Sequence, residues 1–265
     1  SYLQQILSPG AQVHLVRVRM QDGLCMPELI IYEPDYLVNV TTVASCFETY
    51  AESPFVSIIN RLKPQANTEH IHLGNLTGQF LDDTVHDRDI PFAQSMTRYF
   101  QMNALEMLAC EGFQSQQQAE AFYEKARTQR ANIRKLIGQD LRQSIARYDS
   151  AHVTLEPTFF SDMLGIQGRL DFLYRHKKQT IIIEQKSGKG DFVPPSSPSY
   201  DPEVPKPQEK HLVQLLLYRA LLTYEFNLHS EELSHIMLLC SRYQQGLVSV
   251  GQMPALMLRA IRMRN

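Results

Sequence analysis

The sequence has little of what would stabilise a secreted or membrane-bound protein. Its four cysteines, Cys25, Cys46, Cys110 and Cys240, are widely scattered and none forms a C-x-x-C pair. That spacing argues against a zinc ribbon and against a disulfide framework, and it predicts buried thiols. No apolar run approaches the ~20 residues that span a bilayer, and SYLQQILSPGAQ at the start lacks a signal-peptide layout. The chain therefore reads as cytoplasmic, with no membrane partner. No G-x-x-x-x-G-K-[ST] phosphate loop occurs, so ATP-driven work would have to reside on another segment. There is no excess of charge of one sign: 26 Lys and Arg stand against 28 Asp and Glu, for a formal net charge of −2. Bulk charge thus advertises no polyanion partner, although basic residues can still cluster around a groove.

What remains is the composition of an ordinary globular protein, 43% hydrophobic and 20% charged over 265 residues, enough for one large domain or two small ones. The sequence lacks an initiator Met and stops in the amphipathic run PALMLRAIRMRN, which reads as a piece of a longer polypeptide. Residues 1–44 read as a β-rich region. VHLVRVRM alternates, QDG turns, and MPELIIYEP and YLVNVTTVA continue in extended style. The pattern turns helical from Ser45 to Leu62. IHLGNLTGQFLDDTV is a helix with Leu73, Leu76, Phe80 and Leu81 on one stripe, and its other turns carry Gln79, Asp82 and Asp83. Residues 92–112 and 114–149 read as two long helices forming a helical insertion, the second bearing Arg127, Arg130, Arg134, Lys135, Arg142 and Arg147. That basic face suits nucleic acid, or equally a solvated surface with i,i+4 pairs.

His152 to Phe160 reads as a strand, and Gly165 to Lys189 as a hairpin. In the hairpin Gly168 to Tyr174 alternates, Arg175 to Gln179 turns, and Thr180 to Ser187 is mostly β-branched. Alternation puts Glu184 and Lys186 on the face of Ile182, and Ile181, Ile183 and Gln185 on the other. Asp171, in mid-strand, lies beside them. Buried charges must be paired, hydrogen-bonded or bound to metal. Two readings of this trio stay open: a structural ion pair, or a hard-cation site in which Asp171 and Glu184 supply oxygens and Lys186 steadies the attacking water or the developing charge. After Lys189, a stretch with six prolines, GDFVPPSSPSYDPEVPKPQEK, reads as a long loop bordering the site. KHLVQLLLYRALLTYEF is a helix whose His211, Gln214 and Tyr218 share a face. HIMLLCSRYQQGLVSV reads as strand, turn and strand.

The phrases GRLDFL, IIIEQKSGK and HLVQLLLYRALL, with GNLTGQFLDD as a looser fit, resemble the RecB-like branch of the PD-(D/E)XK nuclease superfamily over roughly residues 70–230. Within that branch they look most like the nuclease domains of replication and repair helicase–nucleases and CRISPR-adaptation exonucleases. The resemblance implies an α/β (α+β) fold, a restriction-endonuclease-like core with a mixed central sheet flanked by helices over residues 45–265. It implies phosphodiester hydrolysis with magnesium or manganese held by Asp171, Glu184 and the backbone carbonyl of Gln185. Lys186 is then the third catalytic group. Gln214 and Tyr218 would position the substrate or the acids, with Gln79 and Ser187 in support and Glu156 and His211 as weaker candidates.

Relatives usually carry a metal-ligating histidine on the upstream helix. Here that position falls on Gly78, so Asp82 or Gln79 substitutes, or the site is weakened. Many relatives also hold an iron–sulfur cluster with one cysteine before the core and three after it. Only Cys240 follows the core here, and no cluster is expected. The implied partner is single-stranded or flap DNA, with a helicase fused downstream. The rival readings are a nuclease fold kept as a DNA-binding or scaffolding module, and a sugar- or protein-binding domain with a structural salt bridge.

Overall fold

The structure is a computed structural model that describes residues 2–64, 66–145, 147–188, 192–193, 197–198, 206–228 and 233–265. A short helix α1 (Leu3–Ile6) leads to β1 (Val13–Val16), the hairpin β2 (Arg19–Gln21) and β3 (Leu24–Met26), and β4 (Leu29–Tyr32), which pairs antiparallel with β1. Next come β5 (Val38–Asn39), α2 (Val40–Ala44), the small hairpin β6 (Phe47–Glu48) and β7 (Ala51–Glu52), and α3 (Pro54–Leu62). Helix α3 starts where Ser53 Oγ accepts from Phe55 N and Pro54 takes the first helical position. A helical block follows: α4 (Glu69–Val85), α5 (Phe92–Met102), α6 (Ala104–Leu108) and α7 (Gln116–Lys135). A Ser115–Gln118 capping box opens α7, and a π-helical turn over Leu136–Leu141 carries it into α8 (Arg142–Ser144).

The β-rich half then runs β8 (Val153–Leu155), β9 (Thr158–Ser161), β10 (Ile166–Arg169), β11 (Phe172–His176) and β12 (Gln179–Lys186). Helix α9 (Glu209–Glu225), strands β13 (Leu233–Cys240) and β14 (Leu247–Ser249), and α10 (Pro254–Arg264) complete it. The central sheet has the order β14-β13-β12-β11-β8. It is mixed, because β12 pairs antiparallel with β11 but parallel with β13, and α9 makes the crossover. A second sheet, β5-β10-β9, joins the N-terminal region to the middle of the chain.

Alternation along β12 builds two cores at once. Ile182 packs with Leu173, Leu217, Leu221 and Leu238 beneath α2, α9 and α10. Ile181 and Ile183 pack with Phe172, Tyr174, Phe80, Ile133 and Ile137 beneath α4 and α7. The three isoleucines are 0% exposed, and each such side chain contributes about 1.5–3 kcal/mol on burial. A strand anchored on both faces holds its register firmly, since a slip of one residue would exchange the two cores.

Several local expectations need correcting. YLVNVTTVA leaves the extended form at Val40, where α2 begins with Val40, Val43 and Ala44 buried. The span from Ser45 to Leu62 opens with the β6–β7 hairpin before turning helical. The first of the two long helices breaks at Asn103 into α5 and α6, and α7 ends in the π turn. Cys25 is exposed, whereas Cys46, Cys110 and Cys240 are buried. The stretches His152–Phe160 and Gly168–Tyr174 are each two strands lying in different sheets. Most of the proline-rich stretch lies outside the described residues.

Candidate active site

Both broken strands bend at the same level. Glu156 adopts a left-handed backbone (φ 52°) and Pro157 has no N–H to offer a ladder. Across from them Glu156 N donates to the carbonyl of Asp171 at 3.2 Å, and Leu170 N donates to that of Pro157 at 3.0 Å. The pair of chains thus leaves the central sheet together, and Asp171 sits at the bend. Asp171 and Glu184 are each one residue beyond the last registered pair, Phe172–Ile183, so they face each other across the ribbon. Backbone N–H of Gln185 fixes Asp171 Oδ2 at 2.7 Å.

Glu184 is 3% exposed. Its Oε1 accepts from Lys186 Nζ at 2.8 Å and from Gln214 Nε2 at 2.6 Å. Its Oε2 is buried with no hydrogen-bond partner. Burial, and then the Asp171 charge, pushes the Glu184 carboxyl up to about 7 against the pull of Lys186 and Gln214. Burial also raises Asp171, opposed by Lys186 and the Gln185 amide. At neutral pH this pair therefore shares too little positive charge to ionise fully.

The cleft beside them, of about 700 Å³, is walled by Asp171, Glu184, Gln185, Lys186 and Ser187 on one side and by Gly74, Thr77, Gly78, Gln79 and Asp82 of α4 on the other. Helix α4 presents Gly74 and Gly78 to the cleft without needing them for its approach: a Cβ on Gly74 would lie 3.5 Å from Ser187 Oγ, an ordinary contact, and one on Gly78 would meet nothing within 4 Å. Behind Glu184, Tyr218 Oη donates to the carbonyl of Arg169 at 2.6 Å, two residues before Asp171. Gly168 makes room for that ring, since a Cβ would stand 2.7 Å from Tyr218 Cε1. Gln214 Nε2 lies 3.4 Å from the same hydroxyl, and both residues are buried on α9 with His211.

The structure brings together the residues expected at the site, in differing ways, but not Asp83 or the basic residues of the second long helix, which do not line the cleft. Asp171, Glu184, Gln185, Lys186, Ser187, Gln79, Asp82 and Glu156 line one cleft, with Gln214 and Tyr218 behind it. Asp82 is engaged by Arg88 at 2.6 Å and His86 at 3.0 Å. Glu156 pairs at 3.3 Å with Arg169 on the exposed rim. Gln79 Nε2 and both amide atoms of Gln185 are buried without a partner. The basic face of α7 and α8 is largely neutralised within the chain: Arg127 pairs with Glu124, Arg134 with Asp89, Lys135 with Asp140 and, on α8, Arg142 with Asp87. Gly74, Thr77 and Arg169 also line the cleft and were not among the site residues expected from the sequence.

The donor set suits a hard divalent cation. Two neighbouring carboxylates are held above their ordinary values, and one buried carboxylate oxygen is left without a donor, a state that costs about 1–3 kcal/mol or more when nothing fills it. Among the described residues no three His, Cys, Asp or Glu side chains group around a metal position, so backbone carbonyls, water or substrate oxygens would complete the shell. No helix among the described residues is long and apolar enough to cross a membrane.

The family profile described as PD-(D/E)XK nuclease superfamily matches residues 44–249, which include every residue named in the cleft. No curated protein matches the chain.

Proposed function

The chain belongs to the PD-(D/E)XK nuclease superfamily, and on that premise we propose that it is a magnesium- or manganese-dependent deoxyribonuclease. The observation that carries this reading is the unbonded, buried Oε2 of Glu184 beside Asp171 and Lys186 on an open cleft. Asp171, Glu184 and the carbonyl of Gln185 would hold the ion. When bound, the divalent ion supplies a water of lowered pKa and neutralises charge on the scissile phosphate. The chain's own residues do the rest. Glu184 would have to be deprotonated to serve as a ligand. The Gln185 amide keeps Asp171 aimed, and Tyr218 holds the bend that places it. Lys186 Nζ orients the attacking water or meets the charge that grows on the phosphoryl oxygens. Gln214 keeps Glu184 Oε1 in place, and Gln79 and Ser187 contact substrate from the cleft walls.

The family resemblance extends the reading to single-stranded, flap or end substrates, a role in DNA repair or replication in the cytoplasm, and fusion to a helicase within a longer chain. In that reading residues 1–44 are an N-terminal addition to a nuclease domain at 45–265, and residues 92–149 are its helical insertion. The test is cleavage of labelled single-stranded and flapped DNA with magnesium or manganese, by the parent, Glu184→Ala and Lys186→Ala. Cutting by the parent that falls at least 100-fold in both variants supports the enzyme. Undiminished cutting by Glu184→Ala refutes this site.

A second reading, a nuclease fold retained to bind DNA, is favoured by one feature. By the family resemblance Gly78 falls where relatives usually carry histidine, and the nearby Asp82 is already engaged by Arg88 and His86. DNA binding without cleavage under either metal supports that reading.

A further inference from the structure

Helix α7, far from β12 in sequence, reaches the end of the strand that carries Lys186. Gln129 Nε2 donates to the carbonyl of Ser187 at 3.2 Å, and Gln129 Oε1 accepts from Ser241 Oγ at 2.5 Å. Ser241 N in turn donates to the carbonyl of Lys186 at 3.0 Å. Asn132, one turn along α7, donates through Nδ2 to the carbonyl of Ser241 at 2.9 Å. Gln129, Asn132 and Ser241 are 4%, 5% and 0% exposed. Two consecutive carbonyls, those of Lys186 and Ser187, are therefore gripped from outside the strand by buried groups.

Lys186 is the last residue of β12. Beyond it no ladder holds the backbone, so the direction of its side chain depends on what fixes these two carbonyls. A buried amide bonded at both ends has one rotamer that satisfies it; losing it leaves the Ser187 carbonyl without its side-chain donor and turns the Ser241 hydroxyl to its other acceptor, the Lys186 carbonyl at 3.2 Å. We propose that Gln129 is a positioning residue for Lys186, clamping the Lys186–Ser187 peptide through the Gln129–Ser241 bridge so that the ammonium group stays between Glu184 and the scissile phosphate. The clamp makes the helical insertion part of the active site's support. It rests on the phosphodiesterase reading for its catalytic consequence, and on geometry alone for its mechanical one.

The variant Gln129→Met keeps side-chain length and removes both bonds. Two readouts are taken: steady-state cleavage with manganese, and amide hydrogen exchange of Ser241 and residues 186–188. The expected result is a kcat lower by about 10- to 100-fold at unchanged KM, the size seen when supporting groups around a reactive centre are removed. Exchange at Ser241 should rise about tenfold or more, with α4 and α9 unaffected. Ser241→Ala, which keeps its backbone donor, should lower kcat by several-fold and serves if Gln129→Met does not fold. Unchanged exchange in both variants overturns the clamp. Raised exchange with unchanged kcat, or a change in KM alone, overturns the positioning role. A parent that cuts nothing counts against the nuclease reading instead, and exchange then decides the clamp.

Discussion

Replacing Glu184 by Gln keeps its shape and removes its charge, and the consequence depends on pH in a way that can be worked through. The carboxyl is pushed from 4.5 up to about 7, first by burial and then by Asp171. Below pH 4.5 both folded and unfolded chains carry the proton, and no penalty arises. Between 4.5 and 7 the folded protein keeps a proton that the unfolded chain has released, so stability falls as pH rises. Above 7 both states are ionised and the penalty is complete. That span, at about 1.36 kcal/mol per pH unit, amounts to roughly 3 kcal/mol. Glu184→Gln has no such penalty. Urea unfolding of parent and variant at intervals from pH 4.5 to 8.5 should show the variant gaining on the parent by about 3 kcal/mol across the range, with unchanged m values. Asp171 titrates in both proteins and its effect largely cancels. A difference that stays constant within about 0.5 kcal/mol would refute the reasoning, because the oxygen left unbonded at Oε2 would then carry no electrostatic burden.

Three further substitutions probe the frame around the pair. Tyr218→Phe removes the 2.6 Å bond to the carbonyl of Arg169; it should lower stability by about 1–3 kcal/mol in urea unfolding and reduce cleavage. Gly168→Ala drives a methyl to 2.7 Å from Tyr218 Cε1 and 3.2 Å from Val40 Cβ. Overpacking of this kind costs about 1–3 kcal/mol, and thermal unfolding should show it together with weaker cutting. Gly78→His, by contrast, enters open space. It should fold as well as the parent, since histidine suits a helix better than glycine by a few tenths of a kcal/mol. Calorimetry should show it binding manganese about tenfold tighter, or 1.4 kcal/mol.

What could be read from the sequence was what repeats locally. The two-residue period of IIIEQK assigned Glu184 and Lys186 to one face and Gln185 to the other, and the 3.6-residue period of α4 and α9 placed Gln79, Asp82, Gln214 and Tyr218 on usable faces. The mixed α/β class came from the family resemblance of the motifs rather than from periodicity, and the family match over residues 44–249 bears it out. What could not be read is long-range. Gly168 to Tyr174 keeps strand alternation through Asp171, and only pairing with the Glu156–Pro157 bend shows that the chain changes sheets there. Pro157, which cannot donate to a strand ladder, was the available hint. Gln129 meets Ser187 and Ser241 across 58 and 112 residues, and no local pattern on α7 separates it from a surface glutamine. Cys25 lies on a hairpin exposed along both strands, where the general tendency of thiols to be buried misleads.

The claim on which the account turns is that Asp171 and Glu184 together seat a divalent cation. Isothermal titration of manganese into the parent, Glu184→Gln and Asp171→Asn at pH 7, repeated in buffers of different ionisation enthalpy, tests it without any substrate. The account predicts saturable binding to the parent with release of about half a proton per ion, because a carboxyl near 7 is half protonated there, and at least tenfold weaker binding to each variant. Equal affinity in all three proteins, or binding with no proton released, would contradict it.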